Sequence, residues 1–273
     1  GLSVGLMTAT MVAVDGGEVW ADDSGGDGPP LVLLHPGVGD SQFWDPIMPA
    51  LTAAYRVVRY DARGYGRSPA PAVKYQLFAD LVAVLDHYGL DRVAVAGCSQ
   101  GGGSALALAL EHPERVSALV LLCPGVPGFP RPYLPADQEA AEYRRARSAG
   151  ASHVDAMVAA KQRVWATAGP TPEVLEQLRS AARVDPRSAD LQRPDPPVFD
   201  RLGLISVPTS LVVGTADFPP LIEADREAAA RIPGCQLTVV PGMDHLPVLR
   251  EPGLVLRTIM STVAPAVSGL DLG

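Results

Sequence analysis

A serine with a glycine two residues to either side, Gly97-Cys98-Ser99-Gln100-Gly101, follows the apolar run Val93–Ala96 and precedes the apolar stretch Ser104–Leu110. In a G-x-S-x-G turn a strand passes into a helix so sharply that Cβ atoms two residues from the serine would collide, and the hydroxyl is lifted clear of the chain. The start of the following helix turns backbone N–H groups toward a developing negative charge. A serine hydroxyl at its ordinary pKa is a weak nucleophile and needs a base within hydrogen-bond reach. Cys98 does not fit as the nucleophile, because an elbow centred on it would put Gln100 where a small residue is required.

Five histidines compete to be that base. His87 falls late in an amphipathic segment, His112 ends an apolar one, His153 opens a helical stretch, and His35 follows the run Leu31–Leu34. His245 alone follows the last apolar run, Gln236–Val240, in a loop containing Gly242. Its imidazole needs a carboxylate to fix the tautomer and stabilise the imidazolium. Asp217 comes just after Leu211–Val213, whereas Asp244 is adjacent to His245, and successive side chains of an extended loop diverge. Ser99, Asp217 and His245 are therefore the candidate catalytic residues, and the Gln100 backbone N–H is a candidate donor to an oxyanion.

The elements that must position these groups alternate along the chain. Short apolar runs at Leu31–Leu34, Tyr55–Tyr60, Val93–Ala96, Ala118–Cys123 and Leu211–Val213 read as strands buried on both faces of a parallel sheet. Helical patterns at Tyr75–Tyr88, Ser104–Leu110, Leu221–Ile232 and Val248–Val263 separate or follow them. Met11–Val14 and Glu18–Ala21, flanking Asp15-Gly16-Gly17, predict a hairpin and hence an antiparallel edge. The fold class is α/β, mostly parallel, with helices on both faces. The alternation stops between 126 and 202, where two proline clusters enclose helical stretches at Asp137–Ala149, Ser152–Thr167 and Pro172–Ala182. The expected organisation is a core of residues 1–125 and 203–273 with a helical cap insertion at 126–202.

With these motifs in place the chain resembles the α/β-hydrolase superfamily over nearly its whole length. His35-Pro36-Gly37-Val38-Gly39 followed by Trp44 is similar to that family's oxyanion loop, and Asp61-Ala62-Arg63-Gly64-Tyr65-Gly66-Arg67-Ser68 to its D-x-R-G-x-G-x-S turn. His112-Pro113-Glu114-Arg115-Val116, Gly214-Thr215-Ala216-Asp217 and Gly242-Met243-Asp244-His245 match further segments in the same order. The resemblance implies a serine hydrolase of the esterase, enol-lactonase or haloperoxidase-like branch, acting through an acyl-serine. It puts the second oxyanion donor at Gly37, with Val38 as the alternative because Pro36 stands where glycine is common. It makes the insertion a lid, with Val38, Trp165, Phe218 and Leu246 as candidate substrate contacts and Phe129, Tyr133 and Met157 beside them. C–C hydrolases, thioesterases, perhydrolases, a cyanohydrin lyase and a slow-turnover or receptor-like binder on the same fold stay open.

Composition narrows the partners. Twenty-two basic against 30 acidic residues give a net charge of −8, a poor footprint for nucleic acid or an anionic membrane. Twenty of those basic residues are Arg; only Lys74 and Lys161 are Lys, and Arg144, Arg145 and Arg147 read as a solvated helix face. Cys98, Cys123 and Cys235 have no CxxC spacing and read as small buried hydrophobes in a reducing cytoplasm. No metal-ligand cluster or phosphate loop is visible, so the expected partner is a small-molecule substrate, with no metal and no organic cofactor. No apolar run reaches membrane-spanning length. The first residues carry no basic segment, and Met7 and Met11 are both candidate starts.

Overall fold

The structure, a computed structural model, describes residues 6–133 and 135–267. Residues 1–5, Leu134 and 268–273, which fall in the ranges assigned above to core and insertion, lie outside the described residues. Eight strands form one sheet: β1 (Thr8–Val14), β2 (Gly17–Asp23), β3 (Pro30–Leu34), β4 (Arg56–Tyr60), β5 (Val93–Cys98), β6 (Val116–Leu122), β7 (Thr209–Gly214) and β8 (Gln236–Val240). Their order is β1-β2-β4-β3-β5-β6-β7-β8. β1 pairs antiparallel with β2 and β2 with β4, and the remaining pairs are parallel. The Asp15-Gly16 turn closes the predicted hairpin, with Val14 opposite Gly17.

The helices are α1 (Met48–Ala54), α2 (Leu77–His87), α3 (Gln100–Glu111), α4 (Ala136–Ser148), α5 (His153–Trp165), α6 (Pro172–Ala182), α7 (Ser188–Leu191), α8 (Pro219–Arg231), α9 (Pro247–Arg250) and α10 (Pro252–Val267). Residues 101–110 of α3 are all buried, as its unbroken apolar composition requires. The helix expected over Val248–Val263 is corrected to two. Glu251 breaks it at φ −133°, ψ 58°, because the ring of Pro252 disfavours the α conformation in the residue before it. A 3₁₀ turn at Ser41–Ile47 leads into α1, a stretch the periodicity did not reveal. Between β6 and β7 the described residues form α4–α7 and no strand.

Sheet order decides where chemistry collects. From β3 the chain crosses outward to β4, then returns to the other side of β3 as β5. The crevice beyond the carboxyl ends of β3 and β5 lies at this reversal, where loops diverge and leave room for a ligand.

Candidate active site

Ser99 occupies one side of that crevice. β5 ends at Cys98 and α3 begins at Gln100, so the whole turn is made at Ser99, with φ 53° and ψ −115°. A non-glycine residue there costs roughly 1–3 kcal/mol and persists only when its surroundings over-determine it. They do: Ser99 N donates to Leu122 O at 3.0 Å, and Ser99 O accepts from Gly125 N at 2.7 Å and Gly103 N at 3.1 Å. The flanking glycines are obligatory. A Cβ on Gly97 would lie 2.4 Å from Gly101 O, and one on Gly101 2.5 Å from Leu34 O.

His245 and Asp217 complete a linear array. His245 Nε2 is 2.8 Å from Ser99 Oγ, and His245 Nδ1 is 2.7 Å from Asp217 Oδ2. The other carboxylate oxygen of Asp217 accepts from Phe218 N at 2.7 Å. With Asp217 an acceptor, Nδ1 carries the proton and Nε2 is free to accept one from the serine. Burial alone would lower the His245 pKa, but the Asp217 carboxylate outweighs it and holds the imidazole well above its ordinary value. Asp244, the rejected neighbour, is buried and points elsewhere. It pairs with Arg250 at 2.7 Å and accepts from Ala168 N at 3.0 Å and Leu246 N at 3.2 Å.

Cys123, at φ 35°, lies under the histidine and directs its Sγ to His245 O at 3.7 Å. Ligand-type atoms of Cys123, Asp217 and His245 lie within 4.8 Å of one another. The imidazole nitrogens are already committed to Asp217 and Ser99, and burial pushes the Cys123 thiol well up, so this is a poor donor set for a cation.

The opposite wall is the loop after β3. His35 Nε2 accepts from Ala62 N at 2.9 Å, so Nδ1 bears the proton and donates to Pro36 O at 2.8 Å. His35 thus braces the loop. Among the described residues the N–H groups of Gly37, Val38 and Gln100 have no hydrogen-bond partner. Gln100 lies against Gly37, where a Cβ would come 3.0 Å from Gln100 Oε1. Asp61 accepts from Ser41 N at 2.8 Å and Arg67 N at 2.9 Å, and Arg63 is paired with Asp80, so this turn is a structural brace.

The helical segment reaches both walls. His245 N donates to Trp165 O at 3.2 Å, and the Trp165 ring lies over the His245 ring at 4.3 Å between centroids. Phe218 packs edge-on to Trp165. Val38 and Leu246 are buried in the main apolar core, and Phe129 and Tyr133 pack against it. A cavity of about 170 Å³ runs from Gly37 between Tyr65 and Tyr75, past Met157 and Lys161 of α5, to Ser188 and Gln192. Tyr65 and Lys161 were not singled out from sequence. Tyr65 was visible only as the variable position of a turn motif, and nothing local marks Lys161. Arg145 pairs with Glu142 on the exposed face of α4.

Comparison with known proteins agrees with this architecture. A protein of Caulobacter segnis provisionally named as the carbamate hydrolase RutD is 44% identical over 108 residues, 37% of this chain and 39% of that relative. The matched stretch thus spans about two fifths of that relative's length. The carboxylesterase CesB of Bacillus subtilis shares the fold, with a TM-score of 0.79, 24% identity and coverage of 97% of this chain and 94% of that one. A thermophilic esterase from Thermogutta terrifontis gives 0.73 at 26% identity, covering 96% and 99%. The family model for the alpha/beta hydrolase fold matches residues 29–169, more than half of the chain. The chain belongs to the α/β-hydrolase fold family.

Proposed function

We propose that the protein is a serine hydrolase that cleaves a carboxylic ester or lactone through an acyl-serine intermediate. The observation that carries this reading is the Ser99 Oγ–His245 Nε2 contact of 2.8 Å, continued from Nδ1 to Asp217 at 2.7 Å. His245 takes the hydroxyl proton as Ser99 Oγ attacks the carbonyl carbon. The N–H of Gln100, with that of Gly37 or Val38 across the crevice, receives the oxyanion. The imidazolium then protonates the leaving alkoxide, and water repeats the sequence to release the acid. In this reading α4–α7 act as the cap: Trp165 covers His245, limiting its access to water.

The test is turnover. Wild type incubated with p-nitrophenyl acetate should release nitrophenol over many cycles, and Ser99→Ala should not, while keeping its circular dichroism spectrum. A single burst without turnover would favour a binder on this fold. Turnover surviving in Ser99→Ala would remove the serine from the mechanism.

A further inference from the structure

We propose that the cavity beside Gly37 selects substrates whose acyl group carries a carboxylate, which Lys161 receives. This rests on the reading above, since it names the acyl group presented to Ser99.

The cavity of about 170 Å³ begins at the loop proposed to hold the oxyanion and is walled by α5 through His153, Met157 and Lys161. These three are spaced by four residues, so they form one stripe along the helix. Lys161 is one of two lysines in the chain. Its side chain is only 14% exposed, and the nearest carboxylate, Glu139 Oε2, is 3.6 Å away. That is beyond hydrogen-bond length. Glu139 directs its other oxygen to Trp165 Nε1, so this carboxylate is shared with the indole. Among the described residues the ammonium makes no hydrogen bond, although it has three donors to satisfy. A largely enclosed cation on a cavity wall, whose one carboxylate neighbour stands beyond hydrogen-bond length, has donors left for a ligand's acceptor.

Ser188 Oγ is buried there without a partner, and Tyr75 OH donates to Gln192 Oε1 at 3.3 Å, so polar groups stand among the apolar Met157, Ala181, Val184 and Pro186. The acidic residue on the wall, Asp185, is paired with Arg187 at 2.6 Å. His153 Nδ1 is engaged by Tyr143 OH at 2.9 Å. Lys161 lies one turn before Trp165, the residue over His245. A cation one helical turn from Trp165, in a cavity that reaches Gly37, suits a dicarboxylate half-ester or a carboxylated lactone.

Two measurements test this. The first is kcat/KM for monomethyl glutarate against methyl pentanoate, by pH-stat. Wild type should favour the anionic ester, and in Lys161→Met the ratio of the two should fall at least tenfold, with Lys161→Arg recovering part of it. The second is calorimetric binding of monomethyl glutarate to Ser99→Ala, which should weaken at least tenfold when Lys161→Met is added. Ester hydrolysis with a ratio indifferent to Lys161 overturns the inference and leaves the hydrolase reading standing. Absence of hydrolysis with Lys161-dependent binding does the reverse. Binding indifferent to Lys161 overturns the inference in either case.

Discussion

The sheet core and the helical segment over it share one apolar cluster but differ in how much of each is buried and in what fixes their loops. In the core, β3, β5, β6 and β7 are buried almost throughout, and Ser99 and Asp217 follow directly from strands fixed by ladder hydrogen bonds. In the segment, α4 has no buried residue, and α5 and α6 bury one face each. Its inner face joins the main apolar core through Val158, Val164, Trp165, Val174 and Leu178, and polar links from the α5–α6 loop and α6 fasten it further. Ala168 N and the Gly169 carbonyl engage Asp244 and Arg250, Thr167 Oγ1 donates to Ala216 O, and Asp40 is held by Gln177 and Ser180 of α6. The links to Asp244, Ala216 and Asp40 end on loops carrying proposed site residues. The core therefore sets the geometry of the chemistry. The segment sets what lies over it.

Two buried aspartates near His245 separate these roles. Asp217→Asn would leave the imidazole in the wrong tautomer, and kcat should fall on the order of 10⁴ with the fold intact. Steady-state kinetics beside circular dichroism checks this. The pH profile reads the same pair. Because Asp217 raises the His245 pKa and the base must be neutral, kcat/KM should rise with pH through a single midpoint above about 6.5. One unit below that midpoint the rate should be down about tenfold. The stability from this pair runs the other way. It is fully present below the unfolded histidine pKa and is lost as pH rises through the raised folded value. A midpoint below 6.5 would mean that burial, not Asp217, governs His245.

Asp244→Asn should invert the pattern. It leaves Arg250, itself only 12% exposed, without its counter-charge, costing about 3 kcal/mol of stability by urea denaturation. Its effect on kcat should stay below about tenfold, or 1.4 kcal/mol in barrier. Equal damage to kcat from both aspartates would erase the distinction between orienting His245 and fastening the helical segment.

How much of this was legible follows the same division. The elbow could be read because its glycines answer a steric demand confined to five residues. The strands could be read because burial on both faces leaves continuous apolar runs. Asp217 and His245 could be chosen because each follows such a run. The break at Glu251 was written in Pro252 but masked by apolar spacing that continues through it. The position of Trp165 over His245, the placement of Lys161 on the cavity wall and the brace at Asp40 arise where distant segments meet. No local periodicity encodes them.

Asp225, in α8, sharpens the account from the core side. Both of its carboxylate oxygens are buried without partners, and burial, helped by the nearby Asp217 charge, pushes its pKa well up. The folded state then holds a proton that the unfolded state releases, so this group costs stability as pH rises above about 3.8 toward the folded value. Asp225→Asn removes that slope. Relative to wild type it should gain stability between pH 4 and pH 7. Thermal denaturation at the two pH values measures it, and an unchanged slope would mean that Asp225 finds a partner in solution.

The central claim is that Ser99 is a nucleophile activated by His245. The most direct measurement is labelling with a fluorophosphonate, read by intact mass and peptide mapping. The account predicts one adduct per chain, on the peptide containing Ser99 and on that residue, with loss of labelling in both Ser99→Ala and His245→Ala. An adduct on Cys98, or none on wild type that is folded, would contradict it.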